Sequence, residues 1–375
     1  MKSILNEISV IRNGKLTTID TKNENRYRVA IAENDGSQTS YFFSTPIYNV
    51  ETRMGVDMKF HACNGGFINI GSNAKIAVND TIRMENGIGS CEIFLPDAPI
   101  TKNGNSLVCG NLTLLPTTNG VAIRVDLSKG IETLFTLKVS TPDLGIRANG
   151  KYFALMREKL KPFLVASCIG TEDEQGTVLA PAVLKYQKID EHIFRLSLLP
   201  TAWQGATALF EINMYEQKLF QDTTVENASP NANNVFGAIA FLGTTPEFGE
   251  QWLYTKIDYT KMWEIEERRI RYAYLHLPYL GRTEAPVKAF GVSERFCSFG
   301  STWNRKVSAL DAFAVAQCRE GYISIPLSSF FFNSNGFLLK NNGLILRTMR
   351  DSHKVAIVAT ADSCFFPSIL EVNCL

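Results

Sequence analysis

Short runs of alternating apolar and polar residues, separated by turn dipeptides, fill most of this chain. Asn-Gly begins at positions 13, 64, 86, 103, 119, 149, 335 and 342, and Asp-Gly begins at position 35. Both dipeptides favour the positive φ angles that tight hairpin turns need. Between the turns, runs such as residues 133–140 and 354–361 are apolar and rich in β-branched side chains. The pattern predicts an all-β chain built as sandwiches or barrels.

The alternation is clearest in residues 269–280. On a regular strand, successive side chains point to opposite faces of the sheet. One face would hold Ile270, Tyr272, Tyr274 and His276, and the opposite face would hold Arg271, Ala273, Leu275 and Leu277. Residues 269–280 therefore predict a strand with one aromatic face and one largely aliphatic face.

Helical spacing of apolar residues is rare, so we predict very little helix. Residues 151–161 carry apolar side chains at 152, 155, 156 and 160, which predicts one short helix. Residues 261–269 could form one or two further helical turns. Neither segment has the long apolar stripe of a coiled coil.

The length of 375 residues exceeds that of one ordinary sandwich and fits two, or at most three, β-sandwich domains. Residues 1–40 are polar with scattered apolar positions, and we assign them to an N-terminal arm or to first strands. Residues 41–215 form a β-sandwich domain or two small β-domains. Residues 216–375 form the C-terminal domain, which begins after an apolar, strand-like run at 208–215.

Composition and charge exclude several classes of protein. The net charge is +1, from 38 basic and 37 acidic residues, so no basic surface for nucleic acid is indicated. No apolar run approaches the roughly 20 residues of a membrane span, and we predict no membrane insertion. The first fifteen residues do not have the pattern of a signal peptide. We expect a location on a virion or cell surface reached by a non-classical route, and otherwise the cytoplasm.

The chain also lacks the motifs of common enzymes. It contains neither a GxSxG nucleophile elbow nor a GxxxxGK[ST] phosphate loop. The four histidines are not spaced as HxH or HxxxH, and the eight cysteines contain no CxxC pair. We interpret the cysteines as buried free thiols, with disulfides as the alternative. The sequence predicts a protein that is not an enzyme.

Residues 219–375 carry an ordered set of short motifs. An Asp-led strand begins at Asp222, and an Asn- and Pro-rich loop follows it at residues 230–237. A Thr-Trp-Asn motif lies at residues 302–304, a late strand at 343–346 and a closing strand at 367–372. In this order and spacing the segment resembles the DNRLRE-type domain of bacteria. The resemblance implies a jelly-roll β-sandwich similar to carbohydrate-binding modules, found in surface and secreted proteins.

The resemblance also implies a candidate metal site. Related jelly rolls can hold a structural calcium at the edge where the Asp-led strand meets the Asn-rich loop. Carboxylate and amide oxygens are the ligands that calcium prefers, which makes Asp222, Asn231 and Asn234 the candidates. In the alternative interpretation, these side chains cap backbone amides of their own loop.

Binding of a glycan would need an exposed aromatic ring beside polar partners. Sugars stack their C–H faces on rings and form hydrogen bonds through their hydroxyl groups. Trp263 and Tyr259 lie in a charged segment together with Glu267, Arg268 and Arg269. We predict these five residues as the ligand-binding site.

Two functions therefore remain open. The first is a non-enzymatic binding protein that uses its jelly roll to dock a polysaccharide or cell-surface glycan. The second is a structural or assembly protein of a phage particle or injection-type machine, as a decoration, fibre or baseplate component. In both cases we expect protein partners or a homo-oligomer.

Overall fold

The computed structural model describes residues 4–12, 25–47, 58–69, 73–129, 133–200, 207–216, 218–282, 285–319, 321–349 and 354–375. Strands account for 55% of the chain and helices for 6%, which confirms an all-β fold with very little helix. The chain forms two compact units, one of residues Tyr48–Glu216 and one of residues Lys2–Ile47 together with Gln217–Leu375. No helix in the described ranges is long and apolar enough to cross a membrane.

The N-terminal residues contribute one helix and two strands. These are α1 (Ile4–Arg12), β1 (Arg28–Ala32) and β2 (Gln38–Phe43).

The described residues of the unit 48–216 contain the next seventeen strands. They are β3 (His61–Cys63), β4 (Gly66–Asn69), β5 (Lys75–Val78), β6 (Thr81–Asn86), β7 (Gly89–Phe94), β8 (Ile100–Asn103), β9 (Ser106–Cys109), β10 (Leu112–Pro116), β11 (Gly120–Asp126), β12 (Thr133–Val139), β13 (Gly145–Ala148), β14 (Tyr152–Glu158), β15 (Lys161–Glu172), β16 (Val178–Ala180), β17 (Ala182–Lys188), β18 (Ile193–Pro200) and β19 (Thr207–Met214). One 3₁₀ turn follows β11 at Leu127–Lys129.

The remaining elements belong to the C-terminal residues. They are β20 (Phe220–Glu226), β21 (Ile239–Thr245), β22 (Gly249–Ile257), β23 (Ile270–Pro278), β24 (Val287–Val292), β25 (Ala309–Val315), β26 (Gln317–Arg319), β27 (Tyr322–Pro326), α2 (Ser328–Phe331), β28 (Leu344–Thr348), β29 (Ala356–Ala359) and β30 (Ile369–Cys374). Short 3₁₀ turns lie at Tyr259–Lys261, Trp263–Ile265 and Trp303–Arg305.

The unit of residues 48–216 is a sandwich of two antiparallel sheets. One sheet has the order β13-β14-β15-β19-β11-β10-β9-β8 with β16 beside β15, and the other has the order β17-β18-β12-β7-β6-β5-β4-β3. A single apolar core takes side chains from both sheets, among them Phe135 and Phe210, whose ring centroids lie 4.8 Å apart. The division of residues 41–215 into one sandwich domain or two small β-domains stays a prediction.

The helix predicted at residues 151–161 is wrong. Residues 152–158 form β14, which is hydrogen-bonded to both β13 and β15. Residues 152–156 are buried on both faces of the sheet, so the strand does not alternate between apolar and polar positions. A strand buried on both faces can show apolar residues at helical spacing by coincidence.

The unit that contains the C-terminal residues has the strand order of a jelly roll. Eight of its strands, taken in chain order, are β2, β22, β23, β24, β25, β27, β28 and β30. One sheet has the order β2-β30-β23-β27, which are the first, eighth, third and sixth of these strands. The other sheet has the order β25-β24-β28-β22, which are the fifth, fourth, seventh and second. This is the order of a two-sheet jelly roll. The buried core takes side chains from both sheets, including Leu370, Leu275, Leu253 and Leu346.

The range 1–40, predicted as an N-terminal arm or as first strands, contains β1 and the start of β2. Strand β2 pairs with β30 from Gln38 opposite Cys374 to Phe43 opposite Ile369, and β1 pairs with the other edge of β2. Residues 41–47, assigned above to the first sandwich, also belong to the jelly-roll unit. The first strand of the jelly roll therefore precedes the other sandwich in the chain, and its remaining strands follow it.

Candidate functional site

A pocket opens on the outer face of the jelly-roll sheet that contains β2, β30 and β23. Its volume is about 670 Å³. The lining combines three tyrosines with two arginines, three carboxylates and two amides. The residues are Ile11, Arg12, Glu33, Asn34, Asp35, Ser37, Tyr41, Arg271, Tyr272, Tyr274, Glu371 and Asn373. All of them belong to the jelly-roll unit.

A β-bulge in β23 sets the composition of the pocket wall. Ile270 pairs with Cys374 and Tyr272 pairs with Asn373, so Arg271 is the extra residue on β23. Because of this irregularity, Ile270 joins the apolar core, whereas Arg271 lies at the pocket beside Tyr272. The alternation predicted for residues 270–277 is therefore correct from Tyr272 onward, and it fails at Ile270 and Arg271. Bulges often redirect a side chain in this way.

Glu371 is held at the pocket by two hydrogen bonds. The Tyr41 hydroxyl donates to Oε1 at 3.3 Å, and the His276 Nε2 atom lies 2.9 Å from Oε2. The other ring nitrogen of His276, Nδ1, lies 2.8 Å from the Ser324 Oγ atom. Since an ionised carboxylate only accepts, Nε2 is the nitrogen that donates to Glu371.

Ser324, His276 and Glu371 are connected in the order of a hydrolase triad, but their exposure is reversed. The serine and the histidine are 2% and 1% exposed, whereas Glu371 lines the pocket. In a hydrolase the serine hydroxyl must reach the substrate. Here the group that faces the pocket is the carboxylate, so the arrangement orients Glu371 and gives no exposed nucleophile.

Each of the two arginines is paired with its own carboxylate. Arg12 donates to both carboxylate oxygens of Glu33, at 2.7 and 2.9 Å, and Thr39 donates to Glu33 as well. The hydrogen bonds from Arg12 lower the pKa of Glu33. Asp35 accepts from the Ser37 hydroxyl at 2.6 Å and from Arg271 at 2.5 Å, and these contacts lower its pKa.

Asn373 lies two residues after Glu371 on β30, on the same face of the sheet. Its Nδ2 atom donates to the hydroxyl oxygens of Ser37 and Thr39, each at 3.0 Å. Those two hydroxyl groups already donate to Asp35 and Glu33, so they can only accept from Asn373. The amide orientation is therefore fixed, and Oδ1 has no hydrogen-bond donor in the described part of the chain.

Two tyrosine rings complete the pocket wall. Tyr272 and Tyr274 are half-buried, and their ring centroids lie 5.9 Å apart with the planes inclined at 59°. The ring of Tyr274 also stacks on the ring of His276 at 6.1 Å. Burial, and after it the charge of Glu371, raises the pKa of Tyr272. The pocket therefore offers two ring surfaces next to a carboxylate.

The aromatic residues predicted as the ligand site differ in their exposure. Trp263 is 58% exposed, in the short 3₁₀ turn that ends at Ile265. Tyr259 packs against Phe331, and its hydroxyl accepts a hydrogen bond from the Asn341 backbone at 3.3 Å. Burial raises the pKa of Tyr259 to about 12. Trp263 is thus the ring in this segment that is open to a ligand.

The charged residues predicted for the same site also differ in their exposure. Arg268 is half-buried and donates to the Gln38 side chain at 2.5 Å. Glu267 and Arg269 are exposed. None of the five predicted residues lines the pocket described above.

The residues predicted as calcium ligands each have a different partner. Asp222 is buried and accepts from the Ala361 backbone at 2.5 Å, and Asn234 donates to the Thr224 carbonyl at 3.0 Å. Asn231 is exposed and accepts from Asn304. Among the described residues, no three His, Cys, Asp or Glu side chains form a group that could hold a metal ion. Structural calcium at Asp222, Asn231 and Asn234 stays a prediction.

Asp222 instead belongs to a buried acidic pair. Its pKa is raised well above the ordinary value of 3.8, first by burial and then by the charge of Asp362. Asp362 forms an ion pair with Lys218 at 2.7 Å. The Asp362 Oδ2 atom is buried without a hydrogen-bond partner in the structure as described. We interpret Asp222 as the protonated member of this pair.

Sequence reasoning did not assign the pocket residues to a site. The alternation in residues 269–280 places Tyr272, Tyr274 and His276 on one face of a strand, and this is the sequence feature that points to the pocket. The resemblance to the DNRLRE-type domain places Glu371 in a closing strand and gives it no role in a site. A comparison with protein-family models and with curated proteins gave no match for this chain. The resemblance to the DNRLRE-type domain stays a prediction.

Proposed function

We propose that this protein is a non-enzymatic binding protein whose jelly roll holds a saccharide in the pocket at β2, β30 and β23. One observation carries the proposal: the half-buried rings of Tyr272 and Tyr274 stand beside Glu371 in a pocket of about 670 Å³. Sugar rings stack their C–H faces on such aromatic surfaces, and their hydroxyl groups donate to carboxylates. The resemblance to carbohydrate-binding modules of the DNRLRE type supports the same function.

A glycan array with the full chain tests this proposal, followed by titration of any ligand found. Tyr274→Ala should weaken binding about fivefold, because one aromatic contact contributes about 1 kcal/mol. Tyr186→Ala is the matched control, since Tyr186 is 45% exposed and lies outside the pocket. An array without any bound glycan, or equal affinity for wild type and Tyr274→Ala, would contradict the proposal.

A second candidate function is that of a structural part in a larger assembly, such as a phage particle. Strand β25 lies at the end of its sheet and exposes Leu310, Phe313 and Val315 by 47%, 48% and 50%. Exposed apolar edge strands are templates for pairing with another chain. Sedimentation should then show oligomers of the wild type and fewer oligomers of Phe313→Lys. A monomeric wild type at high concentration would count against self-assembly through this edge.

A further inference from the structure

The charges that line the pocket do not cancel. Arg12 is paired with Glu33, and Arg271 is paired with Asp35. Glu371 accepts hydrogen bonds from Tyr41 and His276, and no lysine or arginine in the described ranges forms an ion pair with it. Both arginines are thus already neutralised, and one carboxylate is left to interact with a ligand.

Asn373 lies in the same wall of the pocket, two residues after Glu371 on β30. It is 2% exposed, and its Oδ1 atom is buried without a donor in the structure as described. An atom buried to this degree is not reached from the open pocket. The Glu371 carboxylate is therefore the acceptor that a ligand in the pocket would meet.

The tyrosine rings suit a cation as well as a sugar face. Tyr272 and Tyr274 stand next to Glu371 with their planes inclined to each other. A positive group over the face of an aromatic ring is attracted by the negative charge of that face. Proteins bind quaternary ammonium ligands among several aromatic rings in this way.

We propose that the pocket selects a ligand with a protonated primary amine. This inference rests on the proposed function, and in that setting the ligand is an amino sugar with a free amine. The ammonium group would donate to Glu371, with the rings of Tyr272 and Tyr274 beside it. An acidic sugar would instead bring its carboxylate against Glu371, while both arginines are already occupied.

Isothermal titration with the full chain and three sets of oligosaccharides tests the inference. The sets are glucosamine oligomers, their N-acetylated counterparts and uronic acid oligomers. N-acetylation removes the positive charge and keeps the sugar ring. We expect the glucosamine oligomers to bind at least about tenfold more tightly than the other two sets, because hydrogen bonds to charged groups are the strong ones.

Two pairs of variants connect this preference to the pocket. Glu371→Gln should weaken binding of the glucosamine oligomers about tenfold, since it removes the charge. Glu267→Gln is its matched control, because Glu267 is exposed and lies outside the pocket. Tyr274→Phe should retain binding, and Tyr274→Leu should weaken it severalfold, because a phenylalanine ring still attracts a cation and leucine does not. Melting curves of each variant report whether the fold is intact.

The outcomes separate this inference from the proposed function. Equal or tighter binding of the N-acetylated or uronic acid oligomers would overturn the amine inference and leave saccharide binding in place. Unchanged affinity in a folded Glu371→Gln variant would overturn it too, and if that variant does not fold, the comparison of the three oligosaccharide sets decides. If none of the three sets binds, the amine inference is refuted, and a blank glycan array would then refute the proposed function as well.

Discussion

Removal of the N-terminal strands should prevent the C-terminal residues from folding. A fragment of residues 218–375 lacks β1 and β2, so β30 would keep β23 on one edge and lose its partner on the other, along six residue pairs from Gln38–Cys374 to Phe43–Ile369. The fragment would also expose the core side chain of Leu370. We expect no cooperative thermal transition from this fragment.

The magnitude follows from the side chains that the two strands bury. Val29, Ile31, Phe42 and Phe43 are each at most 2% exposed. Burial of each such side chain contributes about 1.5–3 kcal/mol, so together they contribute about 6–12 kcal/mol. A whole domain is stable by only about 5–15 kcal/mol. The loss is therefore comparable to the entire free energy of unfolding.

A direct fusion of the two parts of the jelly roll is the positive control. In the structure the Leu219 amide donates to the Ser44 carbonyl at 3.2 Å, so the chain segments to be joined are already adjacent. Residues 2–47 linked to residues 218–375 by a short glycine–serine linker should therefore fold. We expect a cooperative melt followed by circular dichroism with a strand-type spectrum.

A core substitution calibrates this comparison. Phe42→Ala in the fusion should lower the free energy of unfolding by about 3–5 kcal/mol, because Phe42 is fully buried in the core. The reasoning is refuted if residues 218–375 alone melt cooperatively at the temperature of the fusion. It is also refuted if Phe42→Ala is neutral in the fusion.

Other predictions concern single residues. Trp263→Ala should change the free energy of unfolding by less than about 0.5 kcal/mol, as surface substitutions do. It should also leave glycan affinity unchanged. A large drop in melting temperature would contradict the 58% exposure of Trp263. Asp222 has a raised pKa in the folded state, so its stabilising contribution is complete below pH 3.8 and is lost as pH rises through that raised pKa. Asp222→Asn keeps an acceptor for Ala361 and should flatten this pH dependence in melting curves recorded from acid to alkaline pH. Bound calcium would instead raise the melting temperature of the wild type but not of Asp222→Asn.

Local patterns were sufficient for the fold class and for one wall of the pocket. Turn dipeptides and alternation predict the strands, and they place Tyr272 and Tyr274 on one face. The bulge at Arg271 cannot be read from the sequence, because it depends on the register between β23 and β30. The helix predicted at 151–161 failed because β14 is buried on both faces, which removes the local period of two.

Long-range pairing decides the rest of the site. Tyr41 and Glu371 are separated by 330 residues and meet only because β2 lies beside β30. Nothing near Tyr41 indicates a partner so distant, so the sequence places Tyr41 in the range 41–215 of the first sandwich and not beside Glu371. Arg12, Glu33 and Asp35 were missed for the same reason. The predicted site at Trp263 rested on local composition, which does not report that Tyr259 and Arg268 have partners elsewhere in the fold.

The placement of β2 ahead of the inserted sandwich also has a consequence for the order of folding. In the unfolded chain the residues from Phe43 to Ile369 form the loop that must close before β2 contacts β30. The entropy cost of closing this loop grows with the number of residues in it. In the folded chain Ser44 and Leu219, which flank the inserted sandwich in sequence, are joined by one hydrogen bond, so prior folding of the sandwich would bring the two parts of the jelly roll together. The effective loop then shrinks to the jelly roll's own residues. We infer that the inserted sandwich accelerates completion of the jelly roll, so substitutions that slow its folding should delay formation of the pocket.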